Sequence, residues 1–369
     1  MDERIVKLAK NIVNYSIKCK KGDKVLIKAT DADEDYVIAF IDAVAKAGGI
    51  PFVEINSKKI DKEIIKNSTK ESNELKAAND LAFMKQMNCY IGIRGDKNKF
   101  EFKDIPDEKL KINSIAFDEV VNYRVDNTKW VILNCPTPAF AQSCNMSTDQ
   151  FEDFYFNVCC LDYSKMSKAM DNLVALMNKT DKVRLVAKDT DVSFSIKGIP
   201  AIKCDGEFNI PDGEVFTAPV KNSVNGKIHY NMPTTYQGTS FSDVCLEIKD
   251  GKIINATSNN TEILNSILNT DEGARYFGEF AIGVNPYIKY ACNDILFDEK
   301  MCGSIHFTPG CCYENQAPNG NISAIHWDMV LSMLPEFGGG EIYFDDVLIR
   351  KDGMFVLDEL KCLNPENLL

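Results

Sequence analysis

Three histidines occur in the 369 residues, at positions 229, 306 and 326, and two of them sit among residues that could share chemistry with them. In Ile325-His326-Trp327-Asp328 an extended backbone would point His326 and Asp328 to one face. That pair offers an imidazole nitrogen and a carboxylate to one cation, a mixed ligand set that suits zinc, cobalt or manganese. The alternative for an isolated His-x-Asp is a buried histidine hydrogen-bonded to its neighbouring aspartate. His306 stands between Gly303 and Pro309-Gly310, which predicts a strand running into a tight loop, a rigid place to display a ligand. Tyr313 by itself reads as a packing aromatic, and His229, within Lys227-Ile228-His229-Tyr230, as an ordinary strand residue.

Two carboxylates belong with these groups. Glu214 opens an apolar strand directly after the turn Pro211-Asp212-Gly213, where a lone glutamate is usually solvated. Glu279 lies within Phe277-Gly278-Glu279-Phe280-Ala281. Burying a charge there is expensive unless it is paired, so Glu279 needs a partner: a cation, or Arg275 four positions earlier.

The elements that must position these groups fall into two halves, as the chain length suggests. Ile5, Leu8, Ile12, Val13 and Ile17 recur at near-helical spacing over residues 2–20, and Lys21-Gly22-Asp23 turns the chain into the strand Val25-Leu26-Ile27. A second helix from Glu34 to Lys46 ends at Gly48-Gly49 and feeds the strand Phe52-Val53-Glu54-Ile55. Lys70 to Lys85 reads as helix, and Asn88 to Ile93 and Trp130 to Leu133 as strands, with a longer mixed connection between those strands. This rhythm predicts an α/β domain, a parallel or mixed sheet flanked by helices. Residues 148–178 read as helical, capped by Ser147 and broken near Asp162. Beyond them a hairpin of Val183–Ala187 and Val192–Ile196 opens a region of short strands and loops. The expected division is an N-terminal α/β domain over residues 1–180 and a C-terminal, mixed α+β, metal-binding domain over residues 181–369.

Four stretches of the C-terminal half, taken in order, resemble the M29 family of metallo-aminopeptidases, the thermophilic aminopeptidase or aminopeptidase T/S type. They are NIPDGEVFTAP (209–219), Asp-x-Gly-Ala-Arg-x-x-Gly-Glu-x-Ala-x-Gly-x-Asn (271–285), DEKMCGSIHFTPG (298–310) and SAIHWDMV (323–330). The N-terminal half shares only length and α/β rhythm with that family. The resemblance implies two divalent ions held by Glu214, Glu279, His306, Tyr313, His326 and Asp328, with Glu214, Glu279 and Tyr313 taking part in catalysis. It also implies hydrolysis of N-terminal residues from short peptides, and a homodimer enclosing its active sites. Two metals about 3.5 to 4 Å apart supply nucleophile and electrophile for amide hydrolysis, and a carboxylate must bridge such close like charges. Glu214 or Glu279 could bridge. Lys300 is either a stabiliser of the oxyanion or a solvated surface lysine. The loop Phe307-Thr308-Pro309-Gly310-Cys311-Cys312 and the short run from Tyr313 to His326 depart from typical members, which bears on substrate preference.

The bulk composition narrows the alternatives. A net charge of −12 opposes binding to nucleic acid or anionic membranes. The N-terminus lacks a signal-peptide pattern, and no long apolar run occurs, so a cytoplasmic protein is expected. Thirteen cysteines, an odd number without a Cys-x-x-Cys pair, are expected to be reduced thiols rather than disulfides or finger-type zinc ligands. No Gly-x-Gly-x-x-Gly or phosphate-loop motif follows any strand, which argues against a nucleotide site. Two other readings stand beside the peptidase: another metal-dependent amidase or deacylase, and a non-catalytic metal-binding relative.

Overall fold

Short β-branched runs form the first sheet. In the computed structural model, which describes all 369 residues, β1 (Lys24–Thr30), β2 (Ile50–Asn56), β3 (Cys89–Arg94) and β4 (Lys129–Asn134) lie parallel in the order β2-β1-β3-β4. The short strand Asn209–Ile210 pairs in parallel beyond β4. Val25, Ile27, Cys89, Ile91, Val131 and Leu133 are fully buried on one face, and Leu26, Tyr90 and Ile132 are buried on the other, the continuous apolar character of a sheet covered on both faces.

The helices around this sheet begin where side chains can satisfy their first N–H groups. In α1 (Glu3–Asn11) the Asp2 carboxylate accepts from the Arg4 N–H, and the helix continues as a π-helical turn through Ser16. Asp33 caps α2 (Glu34–Lys46) in the same way. Two further helices are α3 (Lys58–Asn67) and α4 (Lys70–Met84), the latter opened by a reciprocal Thr69–Ser72 capping box. The connection read as mixed contains α5 (Asp107–Asn127), a helix of 21 residues. None of its side chains is fully buried, so it lacks the apolar stripe from which amphipathic helices are recognised.

The chain divides into two compact units, residues 1–160 with 206–210, and residues 161–205 with 211–369. The helical stretch over 148–178 comprises Thr148–Cys159, capped by Ser147, and Tyr163–Met177, capped by Asp162 at the expected break.

The second unit is built on two sheets. The hairpin Lys182–Ala187/Thr190–Ser195 lies within an eight-stranded antiparallel sheet. A five-stranded antiparallel sheet runs Val330–Ser332, Ser304–Pro309, Phe277–Gly283, Glu214–Thr217, Ile202–Cys204. Phe194 of the hairpin stacks on Phe307 and meets Phe280 edge-on, at centroid separations of 4.8 and 5.0 Å, so the two sheets share one aromatic core. Arg350 is buried beside it and donates to the carbonyls of Gly283, Ser304 and Gly353. Burial holds its guanidinium down at about 10. All thirteen cysteines are free, and no helix is long and apolar enough to cross a membrane.

Candidate metal centre

The five-stranded sheet brings the acidic and imidazole groups together because its central strands are buried along their whole length. Glu214 is the first residue of its strand, opposite Gly283. The preceding turn needs Gly213, whose φ is +134° and whose missing Cβ would lie 3.0 Å from Asn285. Asn285 in turn donates to the Asp212 carbonyl at 2.8 Å. Glu279 sits just past a register irregularity at Gly278, where a Cβ would meet the Cys311 carbonyl oxygen at 2.0 Å. Only glycine permits that close approach. His306 lies on the adjacent strand opposite Ala281. His326 is fixed by a bridge to Gly310, and Asp328 accepts from the Thr308 hydroxyl at 2.6 Å. The His326–Asp328 segment is not a regular strand, yet both side chains reach one site.

The contacts are close and specific. His306 Nε2 is 3.3 Å from Glu279 Oε1, and His326 Nε2 is 3.1 Å from Glu279 Oε2 and 3.2 Å from Asp328 Oδ1. Glu214 Oε2 lies 3.6 Å from His306 Nδ1. Three groups have their ligand atoms within 4.8 Å of one another: Glu214, Glu279 and His306; Glu279, His326 and Asp328; and, beside them, Cys204, Asp212 and Glu214. Glu279 belongs to the first two, presenting one oxygen to each histidine. Arg275, the alternative partner for Glu279, bonds instead to Asn265, Asn269 and the Ile253 carbonyl.

Two observations test whether this donor set fits cations. His326 Nδ1 faces the Cys311 carbonyl at 2.8 Å, which places the ring proton there and leaves Nε2 free to ligate. His326 Nε2 and Glu214 Oε2 are both buried without a hydrogen-bond partner, although carboxylate oxygens lie within ion-pair distance of that nitrogen. The nitrogen is near those oxygens but out of line for a hydrogen bond. Buried, unsatisfied donors converging in this way fit divalent metal ions.

The electrostatics point the same way. Burial raises the Glu214 carboxyl to about 7 despite the neighbouring Lys300 ammonium. Burial also opposes the charge on Glu279, but the two imidazoles facing it, His306 at 3.3 Å and His326 at 3.1 Å, outweigh it and hold that carboxyl below the usual range. Burial would lower the His306 imidazole, yet Glu214 and Glu279 raise it to about 10. His326 is likewise raised against burial, by Asp328 and Glu279. With no cation bound, protons on the histidines balance the carboxylates.

Tyr313 stands beside this set, its ring 4.9 Å from that of His326 and 5.3 Å from Phe216, and it is 45% exposed. Lys300 is not the solvated lysine that was one of its two readings. It is 2% exposed, with Nζ 2.5 Å from Glu214 Oε1 and also bound to Glu299. Glu299, Thr308 and the Cys311 carbonyl are site residues that sequence reasoning missed. Glu299 adjoins Lys300 in the sequence, but the other two are brought to the site by backbone register, Thr308 then donating from its hydroxyl.

The chain is similar to known aminopeptidases. The chain is 25% identical over 301 residues to Aminopeptidase 2 of Geobacillus stearothermophilus, covering 68% of this chain and 70% of that protein. A shorter stretch of 112 residues is 36% identical to aminopeptidase AmpS of Bacillus subtilis, covering 28% of this chain and 26% of that protein. The fold matches wild-type AmpT from Thermus thermophilus with a TM-score of 0.81 at 19% identity, over 96% of this chain and 99% of that one. It also matches 2,5-dihydroxypyridine dioxygenase from Pseudomonas putida KT2440, with a TM-score of 0.60 at 13% identity over 96% and 98% of the two chains. These two likenesses speak to fold alone. The sequence match is decisive: the model of the thermophilic metalloproteases, M29, spans residues 1–355, and the chain belongs to that family.

Proposed function

We propose that the chain is a metallo-aminopeptidase whose Glu214, Glu279, His306, Tyr313, His326 and Asp328 hold two divalent cations, zinc, cobalt or manganese. The observation that carries this reading is Glu279, whose two oxygens face two different histidines. A carboxylate so placed is suited to bridge two cations. Divalent cations bound there would polarise the scissile carbonyl and provide a nucleophile at neutral pH. Glu214 and His306 close one side of the set by burial, whereas His326 and Tyr313 leave the other side accessible. A catalytic centre needs such an open side and a structural metal does not. On this reading Tyr313 meets the substrate at the open side, and a carboxylate of the set accepts a proton and returns it to the leaving amine.

The test is a pair of short peptides, one with a free α-amino group and one N-acetylated. The free peptide should be cleaved from its N-terminus and the acetylated one should not, and chelation should abolish the activity while leaving the far-ultraviolet circular dichroism largely unchanged. Equal cleavage of both would favour a deacylase or endopeptidase.

Metal loading should release protons. His306 is raised to about 10, so it is protonated near neutral pH in the metal-free chain, and ligation requires the neutral ring. Metal affinity should therefore rise as pH rises toward 10. Conversely, the contribution of protonated His306 to metal-free stability is complete below its ordinary value of 6.5 and is lost as pH passes 10. Calorimetric titration in two buffers of different ionisation enthalpy reads the proton count, and zero released protons would contradict the assignment.

The same reading places the enzyme in the cytoplasm as a homodimer acting on short peptides, with catalysis in the C-terminal half, residues 181–369. Light scattering should give about twice the 41.4 kDa chain mass. An active monomer would refute the dimer.

A further inference from the structure

The N-terminal unit contains a cleft that the peptidase chemistry does not use. It encloses about 120 Å³ between the face of β1 and β3 and the helices α4 and α5, a volume comparable to cavities that hold one small apolar molecule. Leu26, Met84 and Tyr90 form its buried floor, and Phe83 packs against the same cluster. The opposite wall is α5, through Phe117, Val120, Val121 and Arg124. The cleft exists because α5 stands over this apolar sheet face without burying any side chain fully.

Charges of both signs stand beside that floor. Lys28 and Glu54 are paired across β1 and β2 at 3.5 Å, and Asp80 comes from α4, where Lys76 pairs with it one turn away. Arg124 is the second cation lining the cleft. Its guanidinium lies over the rings of Tyr90 and Trp130, at 5.1 and 4.9 Å, and its buried Nε has no hydrogen-bond partner. No carboxylate lies within ion-pair distance of it. An aromatic-backed guanidinium with a spare buried donor is arranged to receive a carboxylate, and unsatisfied buried donors are costly unless something occupies them.

We propose that this cleft binds a free α-amino acid with a large apolar side chain. Its carboxylate would meet Arg124, its ammonium would meet Glu54 or Asp80, and its side chain would lie on Leu26, Phe83 and Met84. A simple fatty acid would leave Glu54 and Asp80 with Lys28 and Lys76 alone, and an apolar amine would leave Arg124 unmatched. The site stands on its own geometry. Only the source of the ligand, as a product released by aminopeptidase action, rests on the function proposed above.

The test is calorimetric titration of L-leucine and L-phenylalanine into the full chain carrying Glu279→Gln, so that binding at the candidate metal centre is disabled while this cleft is untouched. Saturable one-site binding is expected. Arg124→Met should weaken it about tenfold or more, and Val121→Trp, which fills the cleft, should abolish it. A circular dichroism melt on each variant separates lost binding from lost folding. 4-Methylpentanoate and isoamylamine, which carry one charge each, should bind at least about tenfold more weakly than leucine. Absence of leucine binding, binding that survives Val121→Trp in a folded protein, or equal binding of the singly charged analogues would overturn the proposal. None of these outcomes depends on peptidase activity, so failure of the site and failure of the peptidase reading remain distinct.

Discussion

Glu279→Gln is expected to lower kcat/KM by at least about a thousandfold, since loss of a cation-holding carboxylate removes several kcal/mol of transition-state stabilisation. The substitution keeps the size of the side chain and removes its charge. Glutamine can offer only one oxygen, so it cannot serve both His306 and His326, which now meet separate oxygens at 3.3 and 3.1 Å. Metal content, measured by elemental analysis, should fall from two ions per chain to one or none. Near-wild-type turnover with full metal content would remove Glu279 from the centre. Unchanged metal with lost turnover would place its role in the chemistry rather than in holding the ions.

Lys300→Met should destabilise the metal-free protein by about 3 to 5 kcal/mol, the range found when one partner of a buried ion pair is removed. Lys300 is 2% exposed, and its ammonium is shared by Glu214, Glu299 and, at 3.6 Å, Asp212. Methionine fills much of the same volume, so the loss would be chiefly electrostatic. Three carboxylates would then crowd a buried site with only the His306 imidazolium, 3.6 Å from Glu214, as counter-charge. Cations on Glu214 would replace part of that charge, so the penalty should shrink when metal is added. Calorimetric melting with and without zinc reads both effects. An unchanged melting temperature in chelator would mean that Lys300 does not neutralise this cluster.

Local signals were legible where one segment dictated its own structure. A helical stretch ending at Gly48-Gly49 marks α2 over Glu34–Lys46, and alternation marks the Lys182–Ala187/Thr190–Ser195 hairpin. The helix α5 carried no such signal, because its apolar residues, including Ile115, Val121 and Val125, are exposed rather than turned to a core. Within the candidate site, residue types and order were readable, while partners were not. Whether Arg275 or a cation served Glu279 depended on where the Gly278 irregularity turns the strand, and that is set by the approach of the Cys311 backbone from elsewhere in the chain. Lys300 looked like a surface lysine because nothing in Glu299-Lys300-Met301 reveals that Glu214, 86 positions away, closes over it.

The strand Asn209–Ile210 has a consequence for how the molecule can be made and cut. It completes the parallel sheet beyond β4, and Phe208 beside it packs on Trp130 with ring centroids 5.0 Å apart. The first unit is therefore unfinished when residue 160 leaves the ribosome, and residues 161–205 must emerge before its last strand arrives. Until then β4 is an open sheet edge with Trp130 uncovered, a template for pairing with another nascent chain. A gene fragment stopped at residue 160 or 180 would keep that edge permanently. The sheet becomes a self-sufficient product only with its late strand supplied, whether in the intact chain or by a linker that splices residues 206–210 directly after the first 160.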